Sequence, residues 1–240
     1  SQSGRLDERV LPFSSSLALQ CFTNEYVFSE TDEEKAAVEE LEREVEAHLE
    51  KGEDVSPHLV VTLGAYRPLY GFSWSGDLCD RAWCDEVEEV ITRQVSEPQE
   101  EYSLRSQIPQ LTAIEDTVSR SVREQYEENP YPRWFKSGFN TTGIGIGSVL
   151  RSSTSLRLDL GDYKSPENPE VLVAGCGTGQ HALQTATRFL NVQVLAVDLS
   201  LSSLSYAKRK TQELGLSNID YAQADIMGLG ALDRQFDLIE

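Results

Sequence analysis

The 240-residue sequence predicts an α/β chain, a partial doubly wound parallel sheet preceded by a mostly α-helical region. Three observations predict it. Apolar residues recur at helical spacing through the first half, where nothing alternates with period two. Short apolar runs closed by Gly or Asp then alternate with helical stretches in the second half. A polar, proline-containing stretch separates the two. The expected organisation is residues 1–135, mostly helical and ending in an aromatic and proline-rich lid or elbow; residues 136–168, a linker; and residues 169–240, the partial sheet domain.

The elements follow in order. The stretch up to Glu30 mixes Ser14-Ser15-Ser16 with Leu17, Leu19 and Phe22 and receives no assignment. Thr31 with Glu34 three residues on is a capping box. Val38, Leu41, Val45 and Leu49 then mark one helical face, and Lys51-Gly52 supplies a cation and a glycine stop. This helix carries nearly half the net charge, with twelve acidic and three basic residues between Glu30 and Asp54. It reads as a solvated outer face, or as a docking surface for a basic protein partner. Further helices are expected within Ser56–Leu69, around Leu78–Val95 with Trp83, Val87, Val90 and Ile91 inward, and over Leu111–Glu127 with Ile114, Val118 and Val122 at intervals of four. Ser96–Glu101 reads as a loop through Pro98.

Tyr126–Trp134 holds two prolines, two tyrosines, Arg133 and Trp134. The prolines end the helix and force extended geometry before each of them. The cluster is either a packed elbow between domains or a flap over a neighbouring pocket. Gly143-Ile144-Gly145-Ile146-Gly147 lacks a preceding strand and is read as a turn or short extended piece.

Composition narrows the function. No uncharged apolar run approaches the ~20 residues of a membrane-spanning helix, and no basic segment followed by an apolar one opens the chain. A formal net charge of -19 argues against broad binding to nucleic acid or anionic lipid. Cys21, Cys79, Cys84 and Cys176 are too scattered for a disulfide scaffold, and Cys79 and Cys84 have no second Cys/His pair to complete a metal site. Reduced thiols in a cytoplasmic protein are expected. The chain opens at Ser1 rather than Met, which reads as a processed chain or a piece of a longer one.

The chemistry lies in the second half. Glu170-Val171-Leu172-Val173-Ala174 is an apolar run of the kind buried in a parallel sheet. Gly175-Cys176-Gly177-Thr178-Gly179 and a helical stretch from Gln180 to Leu190 follow at once. Such a turn needs positive φ and leaves bare backbone against which a ligand can lie. Amides at the helix start favour a polar or anionic group. A second strand, Gln193–Val197, ends in Asp198, nineteen residues past Gly179 and near the offset of a carboxylate that holds ribose hydroxyls. Helix Leu201–Leu214, strand Ile219–Ala224 with Asp225 at its end, and a fourth strand in Gln235–Glu240 complete the pattern. A dinucleotide fingerprint wants a third small residue where Gln180 stands.

The turn, with Asp198, Ala224-Asp225-Ile226 and Phe236-Asp237-Leu238-Ile239, resembles the class I S-adenosylmethionine-dependent methyltransferases over residues 169–240. Tyr126–Trp134 resembles the cofactor-covering segment that precedes this fold in some bacterial members. The resemblance implies a Rossmann-like domain that binds S-adenosylmethionine, cut off before its last strands. Gly175, Cys176, Gly177 and Gly179 would form the turn around the methionine end and ribose, with Cys176 a small turn residue rather than a nucleophile. Asp198 would accept both ribose hydroxyls and Asp225 the adenine amino group. Ile226 would offer its amide to the ring, and Leu199 and Met227 would sandwich it. Glu240, at the end of the fourth strand, is the candidate contact to the methyl acceptor; no other catalytic residue is assigned. His181 reads as a helix-surface histidine or a base. The acceptor is open, with a protein or small molecule favoured. The other readings are a catalytically silent cofactor-binding or partner-docking module and a nicotinamide-dependent oxidoreductase.

Overall fold

The computed structural model describes residues 2–128, 130, 132–135, 138–139, 142–152 and 159–240. The chain forms two compact units, residues 1–100 and 101–240.

The first unit is helical. α1 (Gln2–Thr23) occupies the stretch left unassigned in the sequence and carries Pro12 inside it. α2 (Asp32–Glu50) opens on the expected box: Thr31 Oγ1 accepts the Glu34 amide at 3.2 Å, and the Glu34 carboxylate accepts the Thr31 amide at 2.8 Å. α3 (Pro57–Tyr66) starts on a proline whose missing N–H costs nothing at a first turn. The stretch expected as one helix around Leu78–Val95 is broken. A short α4 (Gly76–Cys79) is followed by α5 (Asp85–Ile91), a π-helical turn over Thr92–Ser96, and α6 (Glu97–Leu104). The expected loop over Ser96–Glu101 is thus helix. Pro98 is tolerated because it sits at the second position of α6, straight after the π turn, where the ladder has already shifted register. The core of this unit includes Val45, Val60, Leu63, Leu69, Leu78, Val87 and Val90. Gln94 is fully buried among them: Nε2 donates to the Ala18 and Gly64 carbonyls at 3.1 and 2.9 Å, and Oε1 accepts from the Leu69 amide.

The second unit holds the sheet. α7 (Thr117–Glu128) begins six residues later than the periodicity suggests, capped by Asp116, whose Oδ1 accepts the Val118 and Ser119 amides. The preceding residues are extended because they pair with a strand edge. Gln110 bridges Gln223, and the Leu111 amide donates to the Gln223 carbonyl at 2.8 Å. α8 (Ile146–Ser152) lies within the stretch read as a linker. β1 (Glu170–Ala174), α9 (Gln180–Arg188), β2 (Gln193–Asp198), α10 (Leu201–Glu213), β3 (Ile219–Gln223) and β4 (Leu238–Ile239) follow as expected, with β4 only two residues long.

The strands form one parallel sheet in the order β3-β2-β1-β4, with Ala174 beside Val197 and Val171 beside Leu238. Strand periodicity sorts the side chains onto two faces. Val171, Val173, Val194 and Ala196 pack with Ala182 and Ala186 of α9 and Leu204 and Ala207 of α10. Leu172, Leu195, Val197 and Ala222 form the opposite core with Leu229 and Phe236. Both connecting helices therefore lie on one face, which leaves the carboxyl ends of β1, β2 and β3 to meet at the glycine turn. Among the described residues no helix is long and apolar enough to cross a membrane.

Candidate cofactor site at the carboxyl edge of the sheet

The turn after β1 is left-handed at all three glycines, with φ of +78° at Gly175, +51° at Gly177 and +82° at Gly179. Gly179 is held to glycine by packing as well. A Cβ there would lie 2.5 Å from the Ala207 Cβ on α10. Before Gly177 a Cβ would meet nothing within 4 Å, so the backbone there faces open space.

Four of the turn's five amides have acceptors within the protein. Gly175 and Cys176 donate to the Val197 carbonyl at 2.8 and 3.0 Å, and Gly179 donates to the Cys176 carbonyl. Gly177 donates to Asp198 Oδ2 at 2.8 Å, while Asp198 Oδ1 accepts the Ser200 amide at 3.0 Å. Ser200, not Asp198, caps α10, its Oγ accepting the Ser203 amide. Asp198 thus ties β2 to the turn and keeps acceptor capacity, since a carboxylate offers about four lone-pair positions.

A cavity of about 310 Å³ opens here, lined by Val122, Tyr126, Gly175, Gly177, Asp198, Leu199, Ser203, Ala224 and Ile226. Asp198 is the one carboxylate in that lining. The structure brings together five of the expected site residues: Gly175, Gly177, Asp198, Leu199 and Ile226. Cys176 and Gly179 support the turn from behind. The Cys176 thiol is buried, and burial followed by the charge of Asp198 pushes it well above its ordinary pKa, which leaves it protonated and inert.

Asp225 is placed differently. It is buried, its Oδ1 accepts the Met227 amide at 3.0 Å, and its own amide donates to Thr112 Oγ1 at 2.7 Å. It lines a neighbouring cavity of about 470 Å³ with Leu111, Thr112, Asp116 and Met227. Met227, 85% exposed, stands on that side and does not oppose Leu199 across the smaller cavity.

Residues 171–240 match the model of a family described as a methyltransferase domain. An uncharacterised protein of a Synechococcus strain is 26% identical over 140 residues, covering 56% of this chain and 32% of its own length. A malonyl-[acyl-carrier protein] O-methyltransferase of Acetivibrio thermocellus is 28% identical over 91 residues, covering 38% of this chain and 31% of its own. The chain therefore spans about a third of the length of these relatives. Among solved structures, the YcgJ protein of Bacillus subtilis is 28% identical over 30% of either chain, with a TM-score of 0.28.

Glu240 follows β4 and does not line the cavity. Its carbonyl accepts the Ala174 amide at 2.9 Å, and its Oε2 accepts from Thr185 Oγ1 at 2.6 Å and lies 3.3 Å from His181 Nε2. The two polar candidates after the turn thus meet each other, with His181 more than half exposed. Among the described residues no cluster of His, Cys, Asp or Glu is placed to hold a metal ion.

Sequence reasoning missed Val122 as a cavity wall, whereas Tyr126 belongs to the segment read as an elbow or a flap. Val122 looked like one more core position of an apolar stripe, yet α7 leaves Val118, Val122 and Tyr126 exposed, and the last two line the cavity. Thr112, which holds the Asp225 backbone, gives no signal in sequence. Tyr131 of the aromatic segment lies outside the described residues.

Proposed function

We propose that the sheet unit binds S-adenosylmethionine in the cavity at the glycine turn, and that the protein transfers its methyl group to an acceptor that is a protein or small molecule. The observation that carries this reading is the polarity of the cavity. The amides of Gly175, Cys176, Gly177 and Gly179 are consumed within the protein, and the lining presents one carboxylate, Asp198, among mostly apolar side chains with the hydroxyls of Tyr126 and Ser203. A dinucleotide site also carries a ribose-binding acid, but its pyrophosphate needs free amides at the turn, and its fingerprint a third small residue where Gln180 stands. A cofactor with a ribose diol, an apolar-faced base and a cationic sulfonium needs the acid and no cradle for phosphates.

Asp198 accepts the ribose hydroxyls while it holds Gly177. Leu199 and Ile226 flank the base, and Val122 and Tyr126 wall the pocket from α7. Asp225 reaches the base edge only from the adjoining cavity, so its contribution runs through the backbone it fixes at Ile226 and Met227. The bound cofactor supplies an electrophilic methyl on sulfur. The protein's part is to align an acceptor with it, and alignment accounts for much of such a rate gain. Glu240, steadied by Thr185 and paired with His181, is the acceptor contact on the β4 side. Four unpaired thiols suit a reducing compartment such as the cytoplasm.

Calorimetry with S-adenosylhomocysteine and with NAD tests the reading. Micromolar S-adenosylhomocysteine binding that is lost in Asp198→Ala, with no NAD binding, supports it; NAD binding alone overturns it. A module that binds the cofactor without turnover would show the same binding but no label transfer from methyl-labelled cofactor in the parent protein.

A further inference from the structure

The aromatic segment before the sheet grips the glycine turn itself. Thr178 lies between Gly177 and Gly179 and is 3% exposed. Its Oγ1 donates to the Pro132 carbonyl at 2.8 Å, and its own carbonyl accepts the Trp134 Nε1–H at 3.0 Å. Two reciprocal bonds therefore join the strap Pro132–Trp134 to the centre of the turn.

The strap is itself anchored to α10. The Trp134 amide donates to Tyr206 Oη at 2.9 Å, and Tyr206 Oη donates back to the Trp134 carbonyl. The Trp134 indole meets the Tyr206 ring edge-on, and the Lys210 ammonium sits 5.3 Å from its centre. Burial pushes the Tyr206 phenol up to about 12, so it stays a donor at any working pH. Glu101 lies between Arg209 at 2.9 Å and Arg133 at 4.0 Å, both guanidinium groups almost wholly buried.

The turn carries three left-handed glycines, and such backbone loses more entropy on ordering than any other. Whatever holds it still before a ligand arrives reduces the ordering that the ligand must offset. We propose that Trp134 and Thr178 are positioning residues: through their paired hydrogen bonds the strap sets the conformation of the turn, and so the affinity for the cofactor, without touching it. This rests on the cofactor reading above.

Three single variants, one double variant, one control and two measurements test it. Trp134→Phe removes the indole donor, Thr178→Val removes the hydroxyl at constant shape, and Thr178→Ser restores it. S-adenosylhomocysteine affinity should fall about tenfold in Trp134→Phe and Thr178→Val, stay within about twofold in Thr178→Ser, and fall little further in the double variant. Amide hydrogen exchange at 177–179 should speed up in the first two with no ligand present. Val192→Ala, a core truncation in the same unit, controls for lost stability. The inference is overturned if the strap variants bind like the wild type, if Val192→Ala loses as much affinity at matched melting temperature, or if exchange at the turn is unchanged. A wild-type chain that binds no S-adenosylhomocysteine overturns the cofactor reading instead, and the exchange data still judge the strap.

Discussion

The Asp198 carboxylate accepts the Gly177 amide at 2.8 Å, and so couples the end of β2 to the turn that follows β1. One side chain therefore shapes the cavity and faces its ligand. Asp198→Ala should lose S-adenosylhomocysteine affinity by roughly 30-fold or more, from one or two charge-assisted hydrogen bonds at about 2 kcal/mol each. It should also melt several degrees lower, because the Gly177 and Ser200 amides lose their acceptor. Calorimetry of binding and of unfolding measures both; a pure ligand role would leave the melting temperature untouched.

Glycine substitutions should separate packing from ligand access. Gly179→Ala drives a methyl group into Ala207 and should destabilise the chain by about 2–4 kcal/mol in denaturant titrations. Gly177→Ala meets no neighbour, so only its positive φ is penalised, by about 1 kcal/mol. Its effect should appear chiefly in cofactor affinity.

Glu240→Gln and His181→Ala should leave S-adenosylhomocysteine affinity within about threefold, since neither lines the cavity. Both should slow label transfer by the parent protein if that side meets the acceptor. Unchanged transfer rates would remove Glu240 from the site.

The cysteines should divide by reactivity. Native-state alkylation followed by mass spectrometry should label the exposed Cys79 and Cys84 first. Cys176, buried and with its thiol held in the neutral form, should stay protected until the chain unfolds.

In the helical unit, the Arg67 guanidinium hydrogen-bonded to Glu30 holds that carboxyl below the usual carboxylate range. A depressed folded-state value stabilises above the unfolded pKa of about 4.3, and the contribution disappears as pH falls through the folded value. Glu30→Gln should therefore reduce stability at neutral pH and flatten its decline in acid. Thermal melts across that range check the sign.

Local chemistry was readable wherever one residue decides it. The Thr31–Glu34 box, the glycine turn and the acids closing β2 and β3 all stand where spacing puts them, because caps, positive-φ turns and buried parallel strands leave strong signatures. Pro98 misled, since a proline just after a π turn breaks no hydrogen bond that the helix still needs. Leu111 misled because pairing with the Gln223 edge overrides helical propensity. The cavity wall on α7 and the hold of Thr112 on Asp225 come from contacts more than a hundred residues distant or from faces that periodicity alone assigns to a core.

Gln94 bears on how uniquely the helical unit folds. Apolar helices can slide past one another by a turn at modest cost, because one aliphatic contact resembles the next. A sequestered amide that must find the carbonyls of Ala18 and Gly64 and the amide of Leu69 admits one alignment only. Misaligned packings strand polar groups in oil, so this single glutamine works as a registration pin that favours one ordered native state over a family of near-equivalent ones.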